Sequence, residues 1–503
     1  MKPEEEPAEQ RTDADTSQLL AERRQKLDEL RSDGIDPYPV SFHDRSAIAD
    51  VLGRYAGLEA GEESADMRRV AGRLSARRGH GKASFLDLVD RTGKIQLHAR
   101  KDVLGDDYEG LVDLDLGDVV GIDGVPFRSR RGELSLRVDK WTVLSKSLRP
   151  PPDKYHGLTD VETRYRHREL DLLANEETRE LFTIRSRLIA AIRRFLDERG
   201  FLEVETPVLQ PLYGGALARP FTTHHNALNR TLYLRIATEL YLKRLIVGGL
   251  EKVYELGKDF RNEGLSHKHN PEFTMLETYE AYADYFDVAA MTEELVAYAA
   301  RETIGTLAVE RDGETIDLTP PWRRVTLRDA ILEETEIDIE ESSERDSLAG
   351  RMQTRGLEFD ETAAWGKLVD ELLSKHVEPT LIQPTFVLDY PIELSPFARR
   401  HRDPARKGLV ERFEGFVAGI EIANSFSELT DPDEQRRRFE QQQSLSAAGD
   451  EEAQPFDEDF VRALEQGMPP TGGLGMGIDR LMMVLSGARS IREVVLFPAL
   501  RER

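Results

Sequence analysis

The chain has 503 residues and a formal net charge of −25, from 69 Lys and Arg against 94 Asp and Glu. This length predicts two or more domains with ample core, and the absence of cysteine excludes disulfides and cysteine-ligated zinc. Mean hydropathy is −0.51, and no apolar run approaches the ~18 residues of a membrane span. We therefore expect no membrane partner and a cytoplasmic location.

The N-terminal region begins with an acidic tail. Residues 1–15 hold six Asp and Glu against two Lys and Arg, a composition that predicts disorder. The segment also lacks the apolar region of a signal peptide. Residues 16–32 have helical spacing and end before Gly34, so residues 16–67 are predicted to form a helical extension.

Residues 68–149 are a basic module inside an acidic chain, with 17 Lys and Arg against 12 Asp and Glu. Short apolar runs broken by glycines predict five or six β-strands in about 80 residues. This pattern is typical of a small Greek-key barrel, and the OB-fold is the usual barrel of this kind that binds oligonucleotides. The local positive charge favours focused contact with RNA, and random clustering in a small domain is the alternative.

Three consecutive prolines at 150–152 mark a linker, predicted to span residues 150–164. A second domain is expected over residues 165–503. Its first predicted element is a helix, with apolar residues that recur at helical spacing: Leu181, Ile184, Leu188, Ile192 and Phe195. Gly200 ends this helix, and residues 201–205 are predicted to run as a strand into Pro207.

The segment DFRNEGLSHKHNPEFTMLETY, residues 259–279, carries an unusual density of charged and polar groups. Strands predicted at residues 253–256 and 273–277 make a hairpin-like pair with a long basic loop. An ordinary surface hairpin does not need arginine, histidine and asparagine between carboxylates on both strands. A site that binds a polyphosphate and a small polar substrate does need them.

The segment GGLGMGIDRL, residues 472–481, is superficially like a glycine-rich nucleotide loop, but it lacks the context of a βαβ unit. We instead predict a strand whose alternate glycines pass close to a ligand. A helix that carries Arg480 follows, and a guanidinium can lie flat against a base.

These two segments resemble motifs two and three of the class II aminoacyl-tRNA synthetases, and the helix, strand and Pro207 resemble motif one. GGALARPF (214–221), RIATELYLKRL (235–245), HNPEFTM (269–275) and NSFSEL (424–429) resemble the lysine-specific branch of class IIb. The resemblance implies an α+β multidomain protein. An N-terminal OB-fold β-barrel would bind the anticodon. A catalytic domain would have an antiparallel sheet flanked by helices, with a helix-rich insertion at about 322–380.

The resemblance implies an ATP-dependent ligase. It would activate L-lysine with ATP to lysyl-adenylate and pyrophosphate, then transfer the lysyl group to the 3′ end of tRNA(Lys). Because the lysine carboxylate is already an anion, its attack on the α-phosphorus needs no general base, so catalysis is expected to rest on positioning and charge stabilisation. By resemblance, the catalytic residues are Arg261, His269 and Arg480, with Asn270 supporting the ATP-binding loop.

The resemblance also implies how ATP is held. Arg261 would contact the α-phosphate and the substrate carboxylate, and His269 would reach the β- and γ-phosphates. Glu263 would read the adenine amino group. Phe273 and Arg480 would enclose the adenine ring from its two faces.

A pair of carboxylates, Glu414 and Glu421, lies seven residues apart in ERFEGFVAGIEIANSF. On a twisted strand this spacing does not put both on one face, so a bulge or bend would be required. The resemblance implies that both bind Mg²⁺ bridging the ATP phosphates, which suits a cation that prefers oxygen ligands. Spacing alone leaves ordinary surface carboxylates as the alternative.

A pocket for lysine needs a carboxylate at depth, apolar walls and a second acceptor. By resemblance, Glu428 and the Tyr279 hydroxyl would hold the ε-ammonium. Glu239 and the backbone at Gly215 would hold the α-amino group. Asn424 would bond the carboxylate of the substrate lysine, and Phe426 would line its aliphatic stem. Arg261 and Glu277 complete the implied lysine site.

In the barrel, the resemblance implies that Phe85 stacks on the central anticodon base and Gln96 bonds its edge. Arg77 or Arg78 would contact a neighbouring base or phosphate. Single-stranded bases are recognised by such stacking and edge bonds. From spacing alone, Phe85 is as plausible a core residue and Gln96 as plausible a surface residue.

Three alternative functions remain open to the sequence. An aspartate- or asparagine-specific class IIb enzyme would need cationic or amide groups where Glu428 and Tyr279 stand. A paralogue that transfers lysyl groups to a translation factor would lack the barrel. A noncatalytic RNA-binding protein should have lost Arg261 or Arg480.

The resemblance to motif one also implies a homodimer, with Pro207 near the two-fold axis.

Overall fold

The computed structural model describes residues 13–79, 81–152, 158–447 and 454–501. The chain divides into two compact units, residues 1–158 and 159–503. The predicted disordered tail covers residues 1–15, of which residues 1–12 lie outside the described residues. A helix begins at Asp13. Within the predicted linker, residues 153–157 lie outside the described residues, and a helix begins at Val161.

The first unit is built on a closed five-stranded barrel, as the run of short strands predicts. Its helices are α1 (Asp13–Ser32), α2 (Ile48–Arg54), α3 (Lys101–Leu104) and α4 (Asp107–Asp113). Its strands are β1 (Arg68–Arg78), β2 (Ala83–Val89), β3 (Lys94–Arg100), β4 (Val119–Arg128) and β5 (Leu134–Ser145). They pair in the order β1-β2-β3-β5-β4, and β4 closes the barrel on β1.

Strand β3 shows why these residues form a barrel. Ile95, Leu97 and Ala99 are buried in its interior, while Gln96 and His98 between them are half-buried on the outside. This alternation follows the two-residue period of a strand. The barrel therefore has an apolar interior and an outer face free to carry polar and aromatic side chains.

The second unit contains an eight-stranded sheet with helices packed against it. Its helices are α5 (Val161–Arg166), α6 (Arg168–Ala174), α7 (Glu176–Glu198), α8 (Glu239–Val247), α9 (Tyr285–Ile304), α10 (Leu327–Thr335), α11 (Arg345–Thr354), α12 (Trp365–Leu372), α13 (Pro432–Ala447), α14 (Glu458–Leu464), α15 (Ile478–Ser486) and α16 (Ile491–Val494). Its strands are β6 (Leu202–Glu203), β7 (Leu209–Gln210), β8 (Thr222–His225), β9 (Arg230–Leu234), β10 (Lys252–Phe260), β11 (Glu272–Ala281), β12 (Ala308–Arg311), β13 (Glu314–Asp317), β14 (Arg323–Thr326), β15 (Thr385–Pro391), β16 (Leu409–Val417), β17 (Ile420–Ser427) and β18 (Thr471–Gly477).

The main sheet has the strand order β14-β15-β16-β17-β18-β11-β10-β6. Its central pairings are antiparallel, and only the two edge pairings, β14 with β15 and β6 with β10, are parallel. The prediction of an antiparallel sheet flanked by helices is confirmed. The region predicted as an insertion contributes the edge strand β14 before its helices α10, α11 and α12 begin.

Helix α7 covers the predicted motif-one helix. Leu188, Ile192 and Phe195 are buried in the main core, and Leu181 and Ile184 pack against it. The strand predicted at residues 201–205 is only two residues long, because its parallel pairing with β10 is limited to Leu202 and Glu203. Among the described residues, no helix combines the length and the apolar character needed to cross a membrane.

Candidate functional site

Three neighbouring strands bring predicted site residues into register. Asn424 on β17 pairs with Gly475 on β18, and Gly475 pairs with Glu277 on β11. Because Gly475 has no side chain, Asn424 and Glu277 flank an open position in the sheet. This pairing brings together segments that are distant along the chain. Strand β18 follows β11 by about 200 residues and β17 by about 50 residues.

The next row of the sheet contains Phe426, Gly473 and Tyr279. A Cβ on Gly473 would lie 1.9 Å from Glu428 Oε1 and 2.7 Å from a ring carbon of Tyr279. Gly473 is therefore required by the close approach of this carboxylate to the strand. The alternate glycines make room for side chains of the pocket as well as for a ligand.

At the closed end of the pocket, two glutamates share one lysine. Lys243 Nζ lies 2.5 Å from Glu239 Oε1 and also forms an ion pair with Glu428 Oε2. Burial raises the pKa of Glu428 well above its usual value, and Lys243 opposes this shift. Both carboxylate oxygens of Glu428 are buried without a hydrogen bond among the described residues, and Oε1 also lacks the ion pair that Lys243 gives to Oε2.

Glu277 is a third buried carboxylate of this region. It accepts hydrogen bonds from the Thr238 amide (3.0 Å) and the Tyr279 hydroxyl (3.3 Å). Burial, followed by the negative charges of Asp259 and Glu239, raises the pKa of Glu277 to about 8. At neutral pH, Glu277 therefore holds a proton that a cationic ligand would displace.

The basic loop between β10 and β11 forms another wall. Arg261 lies over the Phe273 ring, 5.1 Å from its centroid. Asn270 donates to the Glu272 carbonyl (2.6 Å) and accepts from the Ala499 amide (3.2 Å), which ties the loop down. Glu263 lies on the same loop and is exposed at the wall of the cavity.

Arg480 is held away from Phe273 by polar partners. Its guanidinium donates to the backbone carbonyl (3.0 Å) and the carboxylate (2.9 Å) of Glu421 and contacts His269 Nε2 (3.1 Å). Desolvation by the surrounding protein, and next the positive charge of Arg480, lower the pKa of His269 to about 4. His269 is therefore neutral at physiological pH and offers hydrogen bonding without positive charge.

Glu414 and Glu421 lie on two antiparallel strands, β16 and β17, rather than on the single strand that the sequence analysis considered. The register of β16 and β17 shifts between Gly415 and Phe416. Glu414 accepts from the Tyr390 hydroxyl (2.9 Å) and from Arg412 (2.6 Å). Burial and the negative charge of Glu421 raise the pKa of Glu414 to about 7, although Arg412 opposes the shift.

A single cavity of about 310 Å³ brings these groups together. Of the residues predicted for the ATP, lysine and metal sites, only Glu414 is absent from its lining. The lining includes the following members of that set: Gly215, Glu239, Arg261, Glu263, His269, Asn270, Phe273, Glu277, Tyr279, Glu421, Asn424, Phe426, Glu428 and Arg480. Gly215 has φ +90°, and its amide donates to Gln454 Oε1 (3.1 Å).

The barrel carries a separate aromatic face. Phe85 is half-buried on the outside of β2, and its ring stacks on His98 with a centroid distance of 4.6 Å and an interplanar angle of 7°. Gln96, on the same outer face, bonds Glu133 (3.1 Å) and Ser135 (3.2 Å). Phe85 is thus outside the barrel core, which removes the core alternative that spacing left open.

The two arginines predicted for this face differ in their contacts. Arg78 is paired with Phe85 across the strands and binds Asp87 at 2.8 Å. Arg77 instead donates to the backbone carbonyls of Val112 and Leu114 beside helix α4. Of the two, Arg78 is therefore the one beside the aromatic face.

Comparison with known proteins agrees with this geometry. Residues 160–501 match the family of class II tRNA synthetases for D, K and N, and residues 69–144 match the OB-fold nucleic acid binding domain. The lysine–tRNA ligase of Moorella thermoacetica is 54% identical over 96% of this chain and 98% of its own length. That of Thermosynechococcus vestitus is 52% identical (96% and 97%), and that of Staphylococcus aureus 50% (96% and 98%). This chain belongs to the lysine–tRNA ligase family.

As a member of the lysine–tRNA ligases, the chain is an ATP-dependent aminoacyl-tRNA ligase with a nucleic-acid-binding barrel. Sequence reasoning missed three polar residues that shape its site: Lys243, Arg412 and Gln454. Lys243 follows Glu239 by four residues on one helix, and Arg412 precedes Glu414 by two on one strand, so periodicity could have found both. Nothing local connects Gln454 with Gly215, which it contacts across 239 positions.

Proposed function

We propose that this lysine–tRNA ligase activates L-lysine with ATP and transfers the lysyl group to the 3′ end of tRNA(Lys). The observation that carries the choice of lysine is the carboxylate-rich closed end of the cavity, where Glu428 Oε1 is buried without a hydrogen-bond partner among the described residues. A side-chain carboxylate of aspartate would be repelled there, and the asparagine amide would leave the charge uncompensated. A substrate ammonium would complement these buried carboxylates.

Lysine would lie along Phe426, with its ε-ammonium between Glu428 and the Tyr279 hydroxyl. Its α-amino group would bind Glu239 and the backbone at Gly215. Its carboxylate would lie toward Asn424 and Arg261, at the side of the cavity that opens to the basic loop. Glu277, which holds a proton in the free protein, would release it to balance the incoming charge.

ATP would be held by the loop and by β18. Arg261 would contact the α-phosphate, and the neutral His269 would bond the terminal phosphates. Arg480 would leave Glu421 to lie on the adenine ring opposite Phe273. Because the attacking carboxylate is already an anion, these groups act by position and charge, without proton transfer.

The residues at the β16–β17 bulge fit a magnesium ion. Mg²⁺ is usually bound by one or two carboxylates together with substrate phosphates, and Glu414 and Glu421 are two carboxylates close enough for one charge to raise the pKa of the other. A divalent cation supplies charge neutralisation for the phosphates. Arg412 and Tyr390 would keep Glu414 oriented toward such an ion.

The outer face of the barrel is the proposed anticodon site. Phe85, supported from behind by His98, offers a flat platform for a base. Gln96 and Arg78 lie beside it to bond the base edge or a phosphate, whereas the contacts of Arg77 favour a structural role. The closed barrel also argues against the paralogue that modifies a translation factor.

A homodimer is proposed from motif one. Large apolar side chains are exposed on the segment around Pro207, namely Leu202, Val208 and Leu209. An exposed apolar patch can mark a protein–protein interface, and a symmetric dimer would bury this segment of both protomers. The cytoplasmic location stays a prediction from the sequence.

The test is amino-acid-dependent exchange of ATP with labelled pyrophosphate, with each of the twenty amino acids, Mg²⁺ and no tRNA. Exchange with lysine alone is expected. Exchange with aspartate or asparagine would overturn the pocket assignment and leave the fold untouched. Absence of exchange with any amino acid from folded protein would point to a noncatalytic protein or to a tRNA-dependent activation step.

A further inference from the structure

Lys243 is a buried cation beside the cavity, and the proposed function leaves its role unassigned. It lies on α8, one turn after Glu239, and its side chain is fully buried. Its ammonium makes ion pairs with Glu239 and Glu428, the two residues proposed for opposite ends of the substrate. The ammonium also lies 5.1 Å and 5.4 Å from the ring centroids of Phe397 and Phe426.

Lys243 is behind the wall of the cavity. Among the described residues, those that line the cavity include Glu239, Glu428 and Phe426, but Lys243 is absent from the lining. A buried lysine is unfavourable unless it is paired. Lys243 contacts Glu239, Glu428 and Phe426, which are three of the proposed substrate-binding residues, from the side away from the cavity. This position indicates that the charge of Lys243 acts on the lysine pocket.

The charged surroundings explain what that ammonium does. Burial opposes the charged form of Lys243, but Glu239 and Glu428 outweigh it and raise its pKa above the usual value. The negative charge of Glu239 raises the pKa of Glu277, and the charges of Glu239 and Glu277 raise that of Glu428. The other titratable groups that face this trio are Tyr279 on β11, Asp259 on β10 and Arg412 on β16.

We propose that Lys243 is a positioning and specificity-determining residue of the lysine pocket, which favours the ionised forms of Glu239 and Glu428 and holds both carboxylates toward the two amino groups of the substrate. This inference rests on the proposed function. Without Lys243, the two carboxylates would face each other and Glu277 with no buried cation between them. Their pKa values would rise further, and in the protonated form they would attract an ammonium poorly.

The test compares Lys243→Met, which keeps the buried length but removes the charge, with Lys252→Met as a control. Lys252 is partly exposed and pairs with Glu280 on the hairpin, outside the cavity lining. In lysine-dependent exchange, Lys243→Met should raise the KM for lysine tenfold or more, because each pH unit below the pKa lowers the ionised fraction about tenfold. The KM for ATP should stay unchanged, and the control should match the wild type.

The pH profile separates this role from simple packing. The lysine KM of Lys243→Met should fall toward the wild-type value as the pH is raised, because the carboxylates then ionise. A second variant, Lys243→Ala, should be reactivated by added propylammonium, which replaces the missing stem and charge. Neutral propan-1-ol should not reactivate it. This rescue also covers the case in which Lys243→Met does not fold.

Three results would overturn the inference. They are an unchanged lysine KM in Lys243→Met, an equal and pH-independent rise in the KM values for lysine and ATP, or the absence of propylammonium rescue. A fourth result, a lowered lysine KM, would also contradict the inference, since it would mean that Lys243 competes with the substrate. Failure of the proposed function is distinguishable, because the wild type itself would then show no lysine-dependent exchange.

Discussion

Replacing Gly473 with alanine should disable lysine recognition through a single added methyl group. The new Cβ would lie 1.9 Å from Glu428 Oε1, whereas ordinary contact begins at 3.4 Å, so the carboxylate must move by about 1.5 Å or turn away. The same Cβ would also overlap the Tyr279 ring, whose nearest carbon is 2.7 Å away. Misplacement of a binding group by about 1 Å can cost about 100-fold in rate, so kcat/KM for lysine should fall at least that far.

The assay is lysine-dependent pyrophosphate exchange, with the ATP dependence and the thermal unfolding midpoint measured in parallel. Gly472→Ala is the matched control, because its Cβ would meet Val288 of α9 at 2.6 Å on the other side of the strand. That overpacking should cost about 1–3 kcal/mol of stability and leave the lysine KM unchanged. An unaltered lysine KM in Gly473→Ala, or equal effects of both variants on it, would refute the reasoning.

The remaining predictions concern Arg261, Glu277 and Phe85. Arg261→Ala should lower exchange by about 10²–10³-fold, the usual loss for a donor aimed at developing charge, with the unfolding midpoint retained; normal exchange would remove its assigned role. Lysine binding should release a proton below about pH 8, because the pKa of Glu277, raised to about 8 in the free protein, falls when ammonium groups arrive. Calorimetry in buffers of different ionisation enthalpy measures this release, which should vanish above that pH and in Glu277→Gln; equal heats in all buffers would contradict it. Phe85→Ala should weaken tRNA charging by about 1–3 kcal/mol per lost stacking contact and spare exchange; loss of both activities would mean that Phe85 is structural.

Local sequence patterns were sufficient for the elements whose causes are local. The 3.6-residue period of apolar side chains places α7, because Leu188, Ile192 and Phe195 must share one face to be buried. The two-residue period places the barrel strands, and it separates the buried Leu97 from the half-buried Gln96 and His98. For Glu414 and Glu421, the spacing indicated only that a bulge or bend would be needed, and the structure decided that they lie on two strands with a register shift between them.

Contacts between segments that are distant along the chain could not be predicted from local sequence patterns. The sequence holds no sign that Gly473 makes space for Glu428, or that Gln454 supports Gly215, because each pair meets only when the sheet assembles. The ends of motif-one strand β6 likewise depend on how much of β10 it can pair with. Strand pairing is a tertiary property, and it fixes which side chains share a row.

The sequence by itself therefore determined the family, the two domains' architectures and the types of residue in the site, because these depend on local periodicity and on short motifs. Only the tertiary structure decided the electrostatics of the pocket. The buried pairing of Lys243 with Glu239 and Glu428, the proton on Glu277 and the neutral state of His269 arise from desolvation and from charges that other elements supply. Such effects depend on distance and burial, which the order of residues does not contain.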